Sequence, residues 1–499
     1  MVGIEQGFPF RESSEKKHTY EPTSRNRTKL ELQETSFVIE KQGRPIDHTS
    51  KIRKGFKGTI YVPEDRVNHG SRIIELPIVV IKSDNPNPLP AIFQFEGGPG
   101  LTNINYEKNV NKSILENHHV VQVGYRGVDG SPILKHPLLD NILLTPNILS
   151  SESLRQMGGK VTKAASKLKA DGIDVSNYNI LNVVEDVEDA RVTLNKMLGG
   201  FEKIIITGGS YGGAVVTAYS LMYPEIIERA IMAEGAFPYD IAFGSPEGVD
   251  AKLARLNDVF HQYDENAPDL MKVMRVVFEN MPSDFKGMPI DPDKVRLTTF
   301  FGLYERKYVS MLFEAFISAE KGDYSSIAVM SPMYDYLMTA MFQCVGDLLA
   351  KTWSSVTDPK RDFLAELENE NSIIGSPLAK VGWGSFQFSD WPVKSFSKEH
   401  PLGETTDVPA MIIYGSKEQA EPTREKYGNI FTNGEWVVLN DLGHSDIWEI
   451  PEASAFMHHL YKSYLDEGFV ESPKIKTPEW IFKPPFTFFQ MFQQMMSKQ

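Results

Sequence analysis

Apolar residues along the 499-residue chain fall into two rhythms. Between residues 30 and 82 they alternate with polar ones in short runs such as GTIYVP and IIELPIVVI, broken by Pro, Asn and Gly. That period of two predicts antiparallel strands. From PAIFQF onward the runs become almost wholly apolar, in HHVVQV, IIIT, RAIMA, AMIIY and WVVL, as suits a parallel sheet covered on both faces. Helical periodicity lies between these runs. Val183, Val187, Ala190, Leu194 and Leu198 mark one helix face that Gly199 and Gly200 bring to an end. Ala214, Val215, Ala218, Tyr219 and Met222 mark another, which stops before Pro224. Alternating strand and helix predict an α/β fold, a mostly parallel central sheet with helices on both faces.

Between about residues 240 and 400 the strand rhythm is suspended. AKLARLNDVFHQY, LMKVMRVVFENM, KYVSMLFEAFISAEKG and YDYLMTAMFQCVGDLLAKTW all repeat at helical spacing, and the alternation resumes with VPAMIIYGS and EWVVLNDLGH. The expected organisation is therefore a flexible, polar arm at residues 1–28 and the first part of the core at 29–239. A helical cap follows at 240–400, then the second part of the core at 401–470 and a tail at 471–499. The tail sequence PPFTFFQMFQQMMSKQ is apolar enough to dock on the body of the protein or on another copy in a homo-oligomer.

Composition narrows the function classes. A hydrophobic content of 41% with 24% charged residues is that of a globular chain. The net charge of -14 and pI near 5.4 argue against a nucleic-acid-binding surface. The single cysteine, Cys344, excludes an internal disulfide framework and any multi-cysteine metal site, and its surroundings predict a buried position in a helix. No run of some 18 apolar residues predicts a membrane span. The first residues lack the basic start and apolar core of a secretory signal, so a cytoplasmic location is expected.

The chemistry concentrates at KIIITGGSYGGAVVTAYSLMYPE, where Ser210 sits among four glycines between a strand and a helix. A serine hydroxyl is a weak nucleophile, and it needs exposure, a neighbouring base and a place for the oxyanion. A sharp strand-to-helix turn supplies these conditions. Gly208 and Gly212, two residues before and two after Ser210, leave room for strand and helix to approach closely, as in the G-x-S-x-G nucleophile elbow. A phosphate-cradling turn is the alternative, but no Lys follows in P-loop position.

Chain order then predicts an acid followed by a histidine. His444 follows Gly443 just after the strand WVVLN and has the address of a general base. The acid is expected in the loop of AMIIYGSKEQAEP, which carries Glu418 and Glu421. Glu418 is favoured because it lies three residues past Gly415, where the loop first turns back over the sheet. Asp446 is a weaker rival, too near His444 in sequence to orient the far ring nitrogen.

With EGGPG, GYRGVDGS, GGSYGG, GSKEQAEP and LGH in this order, the chain resembles the proline iminopeptidase family, and especially the larger tripeptidyl-aminopeptidase-like branch of the α/β-hydrolases. The likeness covers roughly residues 57–240 and 385–465. It implies the α/β-hydrolase fold, with Ser210 as nucleophile, His444 as base and Glu418 where the family usually has aspartate. It also implies an oxyanion hole from backbone N–H groups of Gly98, in the Gly97-containing GGPG turn, and of Tyr211. The implied substrates are short peptides or amides with a free N-terminus, handled without metal or organic cofactor. Glu96 departs from the His that often precedes those glycines in the family. A carboxylate there opposes a developing oxyanion, so Glu96 is expected to pair with Arg126 or to bind a substrate ammonium.

Overall fold

The structure, a computed structural model, describes residues 18–20, 27–39, 51–105, 114–342, 344–418, 420–468 and 482–497. In chain order the strands are β1 His18–Tyr20, β2 Lys29–Ile39, β3 Lys51–Pro63, β4 Ile73–Ile81, β5 Leu89–Phe95, β6 His118–Val123, β7 Ile204–Gly209 and β8 Ile227–Ala233. A two-residue hairpin, β9 Asp284–Phe285 and β10 Met288–Pro289, precedes β11 Ala410–Gly415 and β12 Gly434–Leu439. All but β9 and β10 join one sheet in the order β1-β2-β3-β4-β6-β5-β7-β8-β11-β12. β1 to β4 are antiparallel, and β4 meets β6 antiparallel. From β6 across to β12 every neighbouring pair is parallel. The alternating N-terminal runs thus extend the central sheet.

The apolar strands are buried on both faces, as their composition requires. Phe93, Ile204, Ile206 and Ile412 pack with Val183, Val187, Ala190 and Leu194 of the helix Ile180–Leu198 and with Ala214 and Val215 of the helix Tyr211–Met222. Ile92, Ile205, Ile231 and Ile413 point the other way, onto Met457, Leu460 and Leu465 of the helix Pro451–Glu467. Truncating one such isoleucine to alanine costs about 2–5 kcal/mol.

Between β8 and β11 the chain is almost wholly helical, from the helix Pro246–Tyr263 through Leu270–Glu279, Pro292–Gly302, Arg306–Glu320, Ser325–Met341 and Val345–Trp353 to Pro377–Phe386. Two further segments complete its packing. Leu154, Met157 and Val161, on the helix Ser151–Ala170, share an apolar cluster with Trp353 and Trp383. Phe482 and Phe488 join Leu253, Phe313 and Met330 in another, so the tail helix Phe488–Met496 docks on the insertion. Cys344 is buried at the start of the helix Val345–Trp353, its thiol against the Gly127 carbonyl at 3.1 Å. Within the stretch expected as an arm, His18–Tyr20 pairs with β2, and Arg27 donates to the Ser71 carbonyl at 3.0 Å. The rest of residues 1–26, and residues 469–481 before the tail helix, lie outside the described residues.

Candidate active site

The register of the parallel strands brings five chemically capable residues to one edge. Phe95 pairs with Gly208, Gly209 with Ala233, Ala233 with Ile413 and Gly415 with Leu439. Glu96, Ser210, Glu234, Glu418 and His444 therefore follow the C-terminal ends of β5, β7, β8, β11 and β12 in turn. Open α/β sheets place their reacting groups at this edge.

Ser210 has φ 51° and ψ -121°, a sparsely populated conformation that costs on the order of 1–3 kcal/mol. Three backbone hydrogen bonds hold it. Its N–H donates to Ala233 O at 3.2 Å, and its carbonyl accepts from Gly213 N–H at 2.9 Å and Ala236 N–H at 2.7 Å. The flanking glycines are needed for space. A Cβ on Gly212 would meet Phe95 O at 2.2 Å, and one on Gly208 would meet Gly212 O at 2.4 Å. Gly97 lies directly against the serine, where a Cβ would come within 2.9 Å of Ser210 Cβ. Tyr211 opens the next helix, so its N–H has no intrahelical acceptor. Gly98, with φ +79°, occupies the facing turn, and its N–H donates to no acceptor among the described residues.

The His444 side is built from side chains. His444 Nδ1 lies 3.9 Å from Glu234 Oε2, and its ring lies against Tyr304, tilted by 33° with centroids 4.9 Å apart. Burial lowers the His444 pKa from 6.5, Glu418 works against that shift, and Lys252 adds to it. Glu418 Oε1 accepts from the His444 backbone N–H at 3.0 Å and from Lys252 Nζ at 2.6 Å. No hydrogen bond joins Ser210 Oγ to the His444 ring among the described residues. Glu421 is exposed in the first turn of the helix Ala420–Tyr427. Asp446 uses both oxygens on backbone, accepting from Gly443 N–H at 2.8 Å and Arg306 N–H at 3.0 Å. With Ser445 N–H on Tyr304 O at 3.1 Å, this clamps the His444 loop to the insertion.

The expected Glu96–Arg126 pair is not formed. Arg126 is fully buried and spends all five N–H donors elsewhere, two on Asp186 at 2.6 and 2.7 Å and three on the carbonyls of Pro63, Glu64 and Asn177. Asp186, on the helix Ile180–Leu198, takes the two charge-assisted bonds. Glu96 instead accepts from Gln94 Nε2 at 3.2 Å, and its carbonyl accepts from Tyr125 OH at 3.1 Å. The ion pair that touches the GGPG turn comes from the insertion. Asp347 Oδ2 accepts from Gly100 N–H at 3.1 Å and from Lys351 Nζ at 2.6 Å, both side chains being fully buried. Lys351 Nζ also lies 4.7 Å from the Tyr125 ring centroid and 6.0 Å from that of Tyr211. Burial pushes the Asp347 carboxyl up to about 6 against the pull of Lys351.

Sequence reasoning missed Glu234, Lys252 and Tyr304. Glu234 did leave a signal, an acidic residue directly after a strand that neighbours the nucleophile strand. Lys252 and Tyr304 reach the site only through the folding of the insertion. An open cavity of about 480 Å³ lies elsewhere, lined among others by Leu134, His136, Met338 and Phe342 and by none of the five edge residues. Among the described residues no cluster of His, Cys, Asp and Glu could hold a metal ion, and no helix is long and apolar enough to cross a membrane.

A glycine-flanked serine at positive φ, a histidine and glutamates thus stand along the same edge of a mostly parallel sheet. The family profile described as alpha/beta hydrolase fold matches residues 90–451, and the chain belongs to that family. A segment of 133 residues is 36% identical to a proline iminopeptidase of Saccharolobus solfataricus, covering 26% of this chain and 35% of that one. The chain thus spans about a third of the length of this curated relative. Among solved structures, an acetylester hydrolase from Corynebacterium glutamicum aligns over 79% of this chain and 91% of its own at 12% identity and a TM-score of 0.40. A meta-cleavage product hydrolase from Pseudomonas fluorescens aligns over 79% and 96% at 11% identity and 0.36.

Proposed function

We propose that the protein is a serine hydrolase working through an acyl-enzyme on Ser210, and that it acts as an aminopeptidase of the proline iminopeptidase kind on short peptides or amides with a free N-terminus. The observation that carries the reading is the Ser210 backbone, held at φ 51° between β7 and its helix, with the His444 ring beside a buried glutamate on the same edge. His444 Nε2 takes the hydroxyl proton as Ser210 Oγ attacks the carbonyl carbon, and the N–H groups of Gly98 and Tyr211 hold the oxyanion. His444 then hands the proton to the leaving amine, and water releases the acyl group by the reverse path. A lowered His444 pKa keeps the ring neutral and able to accept a proton at neutral pH. The 133-residue likeness to a proline iminopeptidase supports the aminopeptidase choice.

An esterase or specialised amide hydrolase using the same residues is the second reading. The observation in its favour is that the insertion brings the cation Lys252 to the His444 side, where it would repel a substrate ammonium. Fluorophore release from prolyl-aminomethylcoumarin and from its N-acetylated counterpart separates the two, with Ser210→Ala as blank. Turnover of the free-amine substrate alone, abolished in Ser210→Ala, is the expected result. Turnover of neither substrate removes the proline aminopeptidase reading.

A further inference from the structure

Two glutamates flank His444, and they are engaged in different ways. Glu418 is committed to backbone and cation, since its Oε1 takes both the His444 N–H and Lys252 Nζ. Glu234 is committed by one oxygen only. Its Oε1 accepts from Gly415 N–H, while Oε2 is buried with no hydrogen-bond partner among the described residues and lies 3.9 Å from His444 Nδ1. The residue is 4% exposed and has φ 50°, and its own N–H is fixed to Ile413 O at 2.8 Å. A buried carboxylate oxygen without a donor carries a desolvation cost that an imidazole N–H would offset. The 3.9 Å separation is longer than a hydrogen bond. Catalytic hydrogen bonds of this kind shorten in the reacting complex.

We infer that Glu234 is the positioning carboxylate of His444, setting its tautomer from Nδ1, and that Glu418 instead fixes the His444 backbone and ties it through Lys252 to the insertion. This rests on the serine-hydrolase reading and refines it. Glu234 selects the ring state with the proton on Nδ1 and the lone pair on Nε2, the only neutral state that can accept the Ser210 proton. Burial, with Glu418 nearby, holds the Glu234 carboxyl well above the ordinary carboxylate range.

The test compares Glu234→Gln with Glu418→Gln. In Glu234→Gln the amide oxygen can still accept from Gly415 N–H, so the shape of the site is kept. Two readouts are taken, the second-order rate of Ser210 labelling by a fluorophosphonate at about pH 8 and the downfield proton resonance of His444 Nδ1–H by NMR. Glu234→Gln is expected to label about 100- to 10,000-fold more slowly and to lose the downfield line. Glu418→Gln, whose amide oxygen can still accept from the His444 N–H, is expected to slow labelling about tenfold less than Glu234→Gln does, or not at all, and to keep the line. Equal rates, or a slow Glu418→Gln with a normal Glu234→Gln, overturn the assignment. If Glu234→Gln does not fold, the Glu418→Gln rate decides alone, because a hundredfold loss there overturns the assignment and retention supports it. If the parent protein is not labelled at all, the hydrolase reading fails. The resonance then judges this inference separately, through its dependence on Glu234 or on Glu418.

Discussion

The two halves of the site are made of different material. On the nucleophile side the geometry is set by backbone, with three main-chain hydrogen bonds on Ser210 and glycines whose missing Cβ atoms let Phe95, Gly208 and Gly212 touch. On the base side it is set by side chains, namely Glu234, Glu418, Lys252, Tyr304 and Asp446, two of which belong to the insertion. Changes on the first side should therefore cost stability, and changes on the second should alter chemistry in a protein that stays folded.

The largest stability effect is expected where the insertion meets the nucleophile-side turn. Asp347→Asn leaves the Lys351 ammonium buried without its carboxylate and should destabilise the protein by about 3–5 kcal/mol in urea unfolding. The double change Asp347→Leu with Lys351→Met should recover most of that loss. Gly212→Ala comes next. Its methyl would press on Phe95 O from 2.2 Å, which predicts a loss of about 3 kcal/mol and a lower melting temperature. On the base side, Glu418→Gln takes the carboxylate from the buried Lys252 ammonium, so it should cost some stability, less than Asp347→Asn because this pair is less enclosed, and it should also move a pH profile. Glu418 raises the His444 pKa and Lys252 lowers it, so removing the carboxylate lowers that pKa further. The neutral base then persists to lower pH, and the acid limb of kcat/KM should shift downward. An upward shift would show that Glu418 does not act on His444 as described. The smallest effect belongs to Glu421→Gln. This exposed side chain should change stability by less than about 0.5 kcal/mol and leave the acid limb in place.

The same contrast explains what could be read from the sequence. Close backbone approach leaves a mark, because only glycine tolerates it, and so the elbow around Ser210 and the turn at Gly97 and Gly98 were legible in the order of residues alone. The place of His444 after the last parallel strand was also legible. The two faces of the sheet were legible too, since Ile204, Ile205 and Ile206 could be apolar in succession only if helices cover both sides. Side-chain partnerships across the fold leave no such mark. Arg126 looked like a partner for Glu96 because both stand near the ends of strands in the same sheet. Its five donors are instead used by Asp186 and three carbonyls, which sequence spacing does not bring together. Lys252 and Tyr304 lie 192 and 140 residues from His444 by their numbering, and only the packing of the insertion sets them beside it. The helix Ser151–Ala170 shows the same limit, since its apolar face gives no hint that its partners lie in the insertion.

The central claim is that Ser210 is an activated nucleophile, and the most direct test is to treat the folded parent protein with a fluorophosphonate and map the adduct by peptide mass spectrometry. The account predicts one phosphonyl group per chain, carried on Ser210, with labelling lost as His444 is protonated at low pH. An unmodified Ser210, or an adduct on a different serine, would contradict it.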